Sequence, residues 1–134
     1  MTEIRGETGA QRALGYVIDV GDPDSARCWL DVTEDHTNRH AVLHGGIASL
    51  LLDSAMGATG SLTVDPAGRA PFLTVSLTTQ FLAPARAGDR VTATGRITGG
   101  GRSILFIAGQ LTTDNGTLIA TATGVFKRVP ERTG

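Results

Sequence analysis

Cysteine is almost absent from this chain of 134 residues: Cys28 stands alone. No internal disulfide framework is therefore possible, and a reducing cytoplasm is the expected compartment. Cys28 alternates with Ala26, Leu30 and Val32, the pattern of a packed strand, so it reads as a core thiol rather than a nucleophile. Apolar runs of membrane-spanning length are missing too, since a spanning helix needs about 20 such residues. There is no excess of either charge: 12 Lys and Arg face 13 Asp and Glu, for a net charge of −1 and a pI near 6.3. That balance argues against a nucleic-acid or anionic-membrane partner, which would call for a basic excess. Residues 1–12, MTEIRGETGAQR, contain no hydrophobic stretch. They are expected to be loosely ordered and not to act as a secretory leader.

What is present suits one domain with a real core, spanning 13–134, with 40% apolar residues. Leu14–Val20 and Ala26–Val32 alternate apolar and polar around the turn Gly21-Asp22-Pro23-Asp24, as in a hairpin. An irregular approach, Glu34–Leu43, leads to the long helical segment. After a loop at Thr63–Ala70, four further strands are predicted over Phe72–Phe81, Arg90–Thr98, Ser103–Thr112 and Thr117–Lys127. Gly99-Gly100-Gly101 and Asp114-Asn115-Gly116 are among their turns. Ile104–Leu111 is apolar on both faces and is expected in the middle of the sheet. The class is α+β: a curved antiparallel sheet of about six strands around one helix.

The segment Leu43–Leu62, LHGGIASLLLDSAMGATGSL, organises the rest. With about 100° per residue, Ile47, Leu51, Ala55, Ala58 and Leu62 form an apolar stripe. The opposite side carries Gly46, Ser49, Asp53, Gly57 and Gly60. Glycine inside a helix costs roughly 0.5–1 kcal/mol relative to alanine, so small residues gathered around one carboxylate suggest close approach by a backbone or a ligand. No Lys, Arg or Glu occurs between 44 and 62, unlike an ordinary solvated face. At the helix start, His44-Gly45-Gly46 would leave backbone N–H groups open to an oxygen that becomes negative during reaction. Asp53 lies nine residues past His44, about 13 Å along the axis, whereas reacting groups must come within about 3–3.5 Å. One helix cannot supply both. Two copies running antiparallel about a two-fold axis can, which predicts a homodimer with two interfacial sites.

Together His36-Thr37-Asn38, Leu43-His44-Gly45-Gly46, Asp53 and Phe81-Leu82-Ala83-Pro84 resemble the hotdog-fold thioesterases of the phenylacetate-degradation (PaaI-like) group, over about residues 14–128. The resemblance implies a hotdog fold and hydrolysis of acyl-CoA thioesters by dimers or tetramers, with no metal or cofactor. It assigns Asp53 as the catalytic carboxylate, either nucleophile or general base, and Gly45 N–H as donor to the thioester oxygen. Asn38 and His44 become polar positioners, and Thr74 a hydroxyl near the attacking water. Gly46, Ser49 and Arg102 are the candidate substrate contacts. The chain departs from the group at Ala41, where relatives often carry glycine, and at Arg39-His40. The acyl group, small aryl or medium-chain, is left open by the few aromatic side chains.

Other patterns carry less. His36, His40 and His44 are spaced by four, but the Gly45-Gly46 break and the lack of a carboxylate cluster argue against a metal face. Arg39, Arg86, Arg96, Arg102, Lys127 and Arg128 could each meet a CoA phosphate, or simply face solvent. Thr74 reads as opposite Leu73, Val75 and Leu77 on an alternating strand. Two rivals share the scaffold: a non-catalytic acyl-CoA-binding module, and a hydratase or dehydratase. The latter would want a paired His and carboxylate that the sequence does not offer.

Overall fold

A computed structural model describes residues 2–130 of the chain; the ends of the expected domain organisation, residue 1 and residues 131–134, lie outside it. The elements are β1 (Glu3–Ile4), α1 (Gly9–Leu14), β2 (Val17–Asp19), β3 (Arg27–Asp31), a 3-10 turn (Glu34–His36), α2 (Gly45–Leu62), β4 (Phe72–Phe81), β5 (Arg90–Gly100), β6 (Ile104–Thr113) and β7 (Leu118–Arg128). The strands form one antiparallel sheet in the order β1-β2-β3-β5-β6-β7-β4. β4 is thus carried past its sequence neighbours to the far edge, and α2 is the crossover that takes it there. Among the described residues no helix is long and apolar enough to cross a membrane.

Four glycines make α2 a poor helix on propensity alone; burial holds it. Leu51, Leu52, Ala55 and Met56 are fully buried, packed with Leu30, Val91, Ile107, Leu111 and Phe126 from the sheet. The sheet makes room by omitting side chains. Gly95 and Gly109 are cross-strand partners on β5 and β6. A Cβ on Gly109 would come within 2.8 Å of Met56 Sδ, and one on Gly95 within 3.0 Å of the Ala55 carbonyl. The helix therefore sits in a furrow of glycines. The buried face runs through Ala48, Leu52, Ala55 and Thr59, while Ile47, Ala58 and Leu62 of the expected stripe are only half-buried.

Three further expectations change. The N-terminal segment, expected to be loose, pairs Glu3–Ile4 with Ile18–Asp19 and builds α1. Thr8 caps that helix by accepting from Gln11 N–H, and Gly15 closes it at φ 83°. β6 does lie inside the sheet, but one of its faces is open: Ile107 and Leu111 point inward, while Phe106 is exposed. Gly60 belongs to the core, not to an open groove, since a Cβ there would meet Ile107, Phe72 and Leu105 at 3.3–3.6 Å.

Cys28 is fully buried in β3, and burial pushes its thiol up to about 12. Iodoacetamide at mildly alkaline pH should label the urea-unfolded chain and leave the native one unmodified by mass spectrometry. Rapid labelling of native protein would contradict this placement.

Candidate active site

The loop before α2 is tightly closed. Thr37 bridges to Leu43, Asn38 N–H donates to Val42 O, Ala41 N–H donates to Asn38 O, and His44 N–H donates to His36 O. Asn38 Oδ1 accepts from His40 N–H at 3.0 Å and Val42 N–H at 3.4 Å. The turn thus consumes the amide oxygen and leaves the Asn38 NH₂ as the end able to donate outward. Ala41 takes φ 59°, the only described non-glycine residue at positive φ. A glycine would sit there without strain; alanine accepts a left-handed conformation costing roughly 1–2 kcal/mol.

His44 is the N-cap of α2, its Nδ1 accepting from Gly46 N–H at 2.9 Å. That bond spends the Gly46 donor. Gly45 N–H has no partner among the described residues. It stands in the first turn of an 18-residue helix, where the helix dipole favours an anion. Phe81 lies over it, 3.3 Å from where a Gly45 Cβ would be. Leu43 N–H donates to Ala85 O at 2.7 Å, while Leu82 and Ala83 N–H both donate to Ile119 O. The Phe81–Pro84 stretch is therefore stapled beside the helix start. Together these parts enclose an open cavity of about 380 Å³ lined by Asn38, Gly45 and Ala48 with apolar Val42, Leu43, Phe81, Leu82 and Ile119. The sequence had marked Asn38, Gly45 and the Phe-Leu-x-Pro run, but not Val42 or Ile119, which reach the cavity through the fold.

Asp53 is not in this cavity. It is half-buried on the flank of α2 facing β4, and accepts a hydrogen bond from Thr74 Oγ1 at 2.5 Å. The expected strict alternation of β4 fails here for a definite reason. A bulge between Thr74 and Ser76 shifts the register against β7, so Thr74 and Leu77 both turn toward the helix instead of to opposite faces. Ser49, one turn earlier on the helix, donates to Thr79 Oγ1 at 3.4 Å. Arg102 lies elsewhere, exposed in the β5–β6 turn, beside a cleft it shares with Ser103, Arg128 and Pro130.

The three histidines do separate jobs. His44 caps α2, His40 is exposed, and His36 is buried against Thr33 and Leu14. Among the described residues no group of three or more His, Cys, Asp or Glu side chains could hold a metal ion.

The polar groups thus divide into two partial sets: a donor pair, Asn38 and Gly45, at the helix start, and a carboxylate with its hydroxyl partner further along. The sequence pattern of the thioesterase superfamily matches residues 40–120. The chain belongs to the thioesterase superfamily. Acyl-coenzyme A thioesterase 13 from Homo sapiens is 31% identical over 112 residues, covering 82% of this chain and 78% of that protein. The mouse protein of the same name is 33% identical over 99 residues, covering 73% and 69%. The structure of the E. coli PaaI protein, from the phenylacetic acid degradation operon, superimposes with a TM-score of 0.81 at 24% identity, over 92% of this chain and 86% of that one. Zebra fish thioesterase superfamily member 2 gives 0.78 at 27% identity, over 92% and 88%. The fold of this superfamily member is the hotdog: a sheet wrapped around one long helix.

Proposed function

We propose that this thioesterase hydrolyses acyl-CoA at two equivalent sites, each shared between the protomers of a homodimer. The observation that carries the reading is the division of the site: Asn38 and Gly45 share a cavity that Asp53 does not enter. Asp53 and Thr74 lie by β4, an edge strand with one side unpaired. Leu73 and Val75 on that strand are 61% and 60% exposed, and Phe81 and Leu82 at its end are 59% and 57% exposed. Such an edge invites a second copy. Thr74 marks the level of Asp53 on β4, and Phe81 the level of Gly45. A two-fold axis close to Leu77 and Thr78, pairing β4 with its symmetry mate antiparallel, brings each Asp53 toward the other protomer's Gly45. Gly57 supports the approach, because its missing Cβ relieves no tight contact on its own chain; the nearest atom is 3.7 Å away.

In this arrangement the thioester carbonyl oxygen sits against Gly45 N–H and the Asn38 NH₂. Asp53 of the other protomer attacks the carbonyl carbon or removes a proton from an attacking water. Thr74 Oγ1 holds the carboxylate on one oxygen, leaving the second for the reaction. Negative charge builds on the carbonyl oxygen and is met by the two donors, a preorganised contribution of about 2.7–4 kcal/mol per donor in comparable sites. Collapse expels the CoA thiolate: on the general-base route it releases the free acid directly, and on the nucleophilic route it leaves an anhydride on Asp53 that water then hydrolyses to the free acid and the restored carboxylate. The acyl group, small aryl or medium-chain, lies against Val42, Leu43, Phe81 and Ile119. Gly46 and Ser49 flank it, and Arg102, with Arg128, meets the phosphates. Two such dimers associating would give the tetramer. No cofactor is required, and the reducing cytoplasm keeps the lone thiol free.

A panel of aryl- and straight-chain acyl-CoAs, assayed for released thiol, tests the reading. Turnover of one class with saturable kinetics supports it. Tight binding across the panel with no thiol released would make this a non-catalytic acyl-CoA module and overturn the hydrolytic reading.

A further inference from the structure

His36 is 5% exposed and takes no part in the chemistry proposed above, yet both of its ring nitrogens are engaged. Nδ1 accepts from Thr33 N–H at 2.9 Å. Nε2 lies 2.8 Å from Leu14 O, a carbonyl that can only accept. The Leu14 carbonyl needs a donor, so the ring proton belongs on Nε2 and Nδ1 is the accepting nitrogen; Thr33 Oγ1 also lies 3.4 Å from Nδ1.

The position of this residue gives that constraint its consequence. His36 ends the 3-10 turn, and its own carbonyl accepts His44 N–H at 2.9 Å. The next residue, Thr37, forms the bridge to Leu43. These two contacts are the neck of the loop that carries Asn38 on one arm and delivers His44 and Gly45 on the other. On its far side the ring holds the last carbonyl of α1, whose other end is tied to the loop after α2 by the Glu7–Arg69 ion pair at 2.6 Å. We infer that His36 is a positioning residue: its ring, held at both nitrogens, pins the neck of the Asn38–His44 loop to α1 and so fixes the angle between the Asn38 NH₂ and the Gly45 N–H. The N-terminal helix, through this one ring, becomes part of the oxyanion geometry. This rests on the assignment of Asn38 and Gly45 as the oxyanion donors.

Loss of the pin should appear in the chemical step, because the donors serve the transition state more than the ground state. His36→Ala should lower kcat per folded protomer at least about tenfold, with KM within about twofold. The conservative replacements should each recover part of that loss. In His36→Asn the side-chain oxygen can accept from Thr33 N–H; in His36→Gln the amide nitrogen can reach Leu14 O. ¹⁵N NMR of the wild-type enzyme provides a reading that no folding defect can spoil, and it should show Nε2 carrying a proton donated to a carbonyl. The inference falls if the wild-type ring carries its only proton on Nδ1, because Nε2 could then not donate to Leu14 O. It also falls if His36→Ala lowers the melting temperature while kcat per folded protomer stays within twofold of wild type. Asp53→Asn, assayed alongside, separates the two failures. If it is inactive while His36→Ala is unimpaired, only the pin is wrong; if it is fully active, the site assignment itself is wrong.

Discussion

Asp53→Asn should abolish thioester hydrolysis and leave the protein folded. The carboxylate makes one hydrogen bond within its own chain, accepted from Thr74 Oγ1, and an asparagine Oδ1 can accept the same bond. Asp53 is half-buried on the flank of α2 and makes no salt bridge among the described residues, so no buried counter-charge is orphaned by the change. What disappears is the second oxygen, together with the charge that lets it attack carbon or take a proton from water. General-base catalysis contributes about 10²–10⁴-fold, and kcat should fall by that order while KM for the acyl-CoA stays close to its wild-type value. Circular dichroism and the melting temperature should be nearly unchanged. A variant retaining more than a tenth of wild-type kcat would remove Asp53 from the catalytic step.

Much of this site was legible because its signals are local. A lone carboxylate in an apolar helix, and two glycines where that helix begins, are visible at a spacing of nine residues, and the distance they imply is the one the proposed dimer answers. The strands that frame the helix were legible from alternation, with β4 recovered at Phe72–Phe81. What escaped is set by pairing between distant segments. The bulge that turns Thr74 toward Asp53 is an offset of β4 against β7; nothing in LTVSL itself announces it. Nothing local singles out Gly95, Gly109 and Gly124, and only the fold reveals that a Cβ at each would meet α2 side chains. Gly60, grouped with Gly57 by helical angle, faces the sheet because the sheet wraps further round the helix than a flat surface would. The N-terminal helix had a readable cap, Thr8 with Gln11 three residues on and Gly15 at its end, hidden in a polar stretch with no apolar periodicity. Besides Leu14 packing on the core, it is tied to the elements around the site by single contacts, Leu14 O to His36 and Glu7 to Arg69, which sequence pattern does not encode.

Two dead variants should restore activity when mixed. Gly45→Pro deletes the proposed oxyanion donor with little change to the backbone. Gly45 is the first helical residue, where proline is favoured because its missing N–H has no helical partner. His44 before it has φ −61° and ψ 130°, the extended conformation a following proline demands. A Cβ added there meets only Phe81, whose side chain is 59% exposed. Alone, this variant should lose about 10²–10³-fold in kcat. A dimer of Gly45→Pro with Asp53→Asn has one site missing both groups and one site with both intact, because each site takes its acid from one protomer and its amide from the other. Unfolding an equimolar mixture and refolding it together makes half the dimers mixed, each with one of two sites working. Activity should return to roughly a quarter of wild type, far above either parent. If each chain instead held a complete site, no combination of these two variants could exceed the activity of its parents, and a flat mixing curve would mean that Asp53 and Gly45 act within one protomer or not together at all.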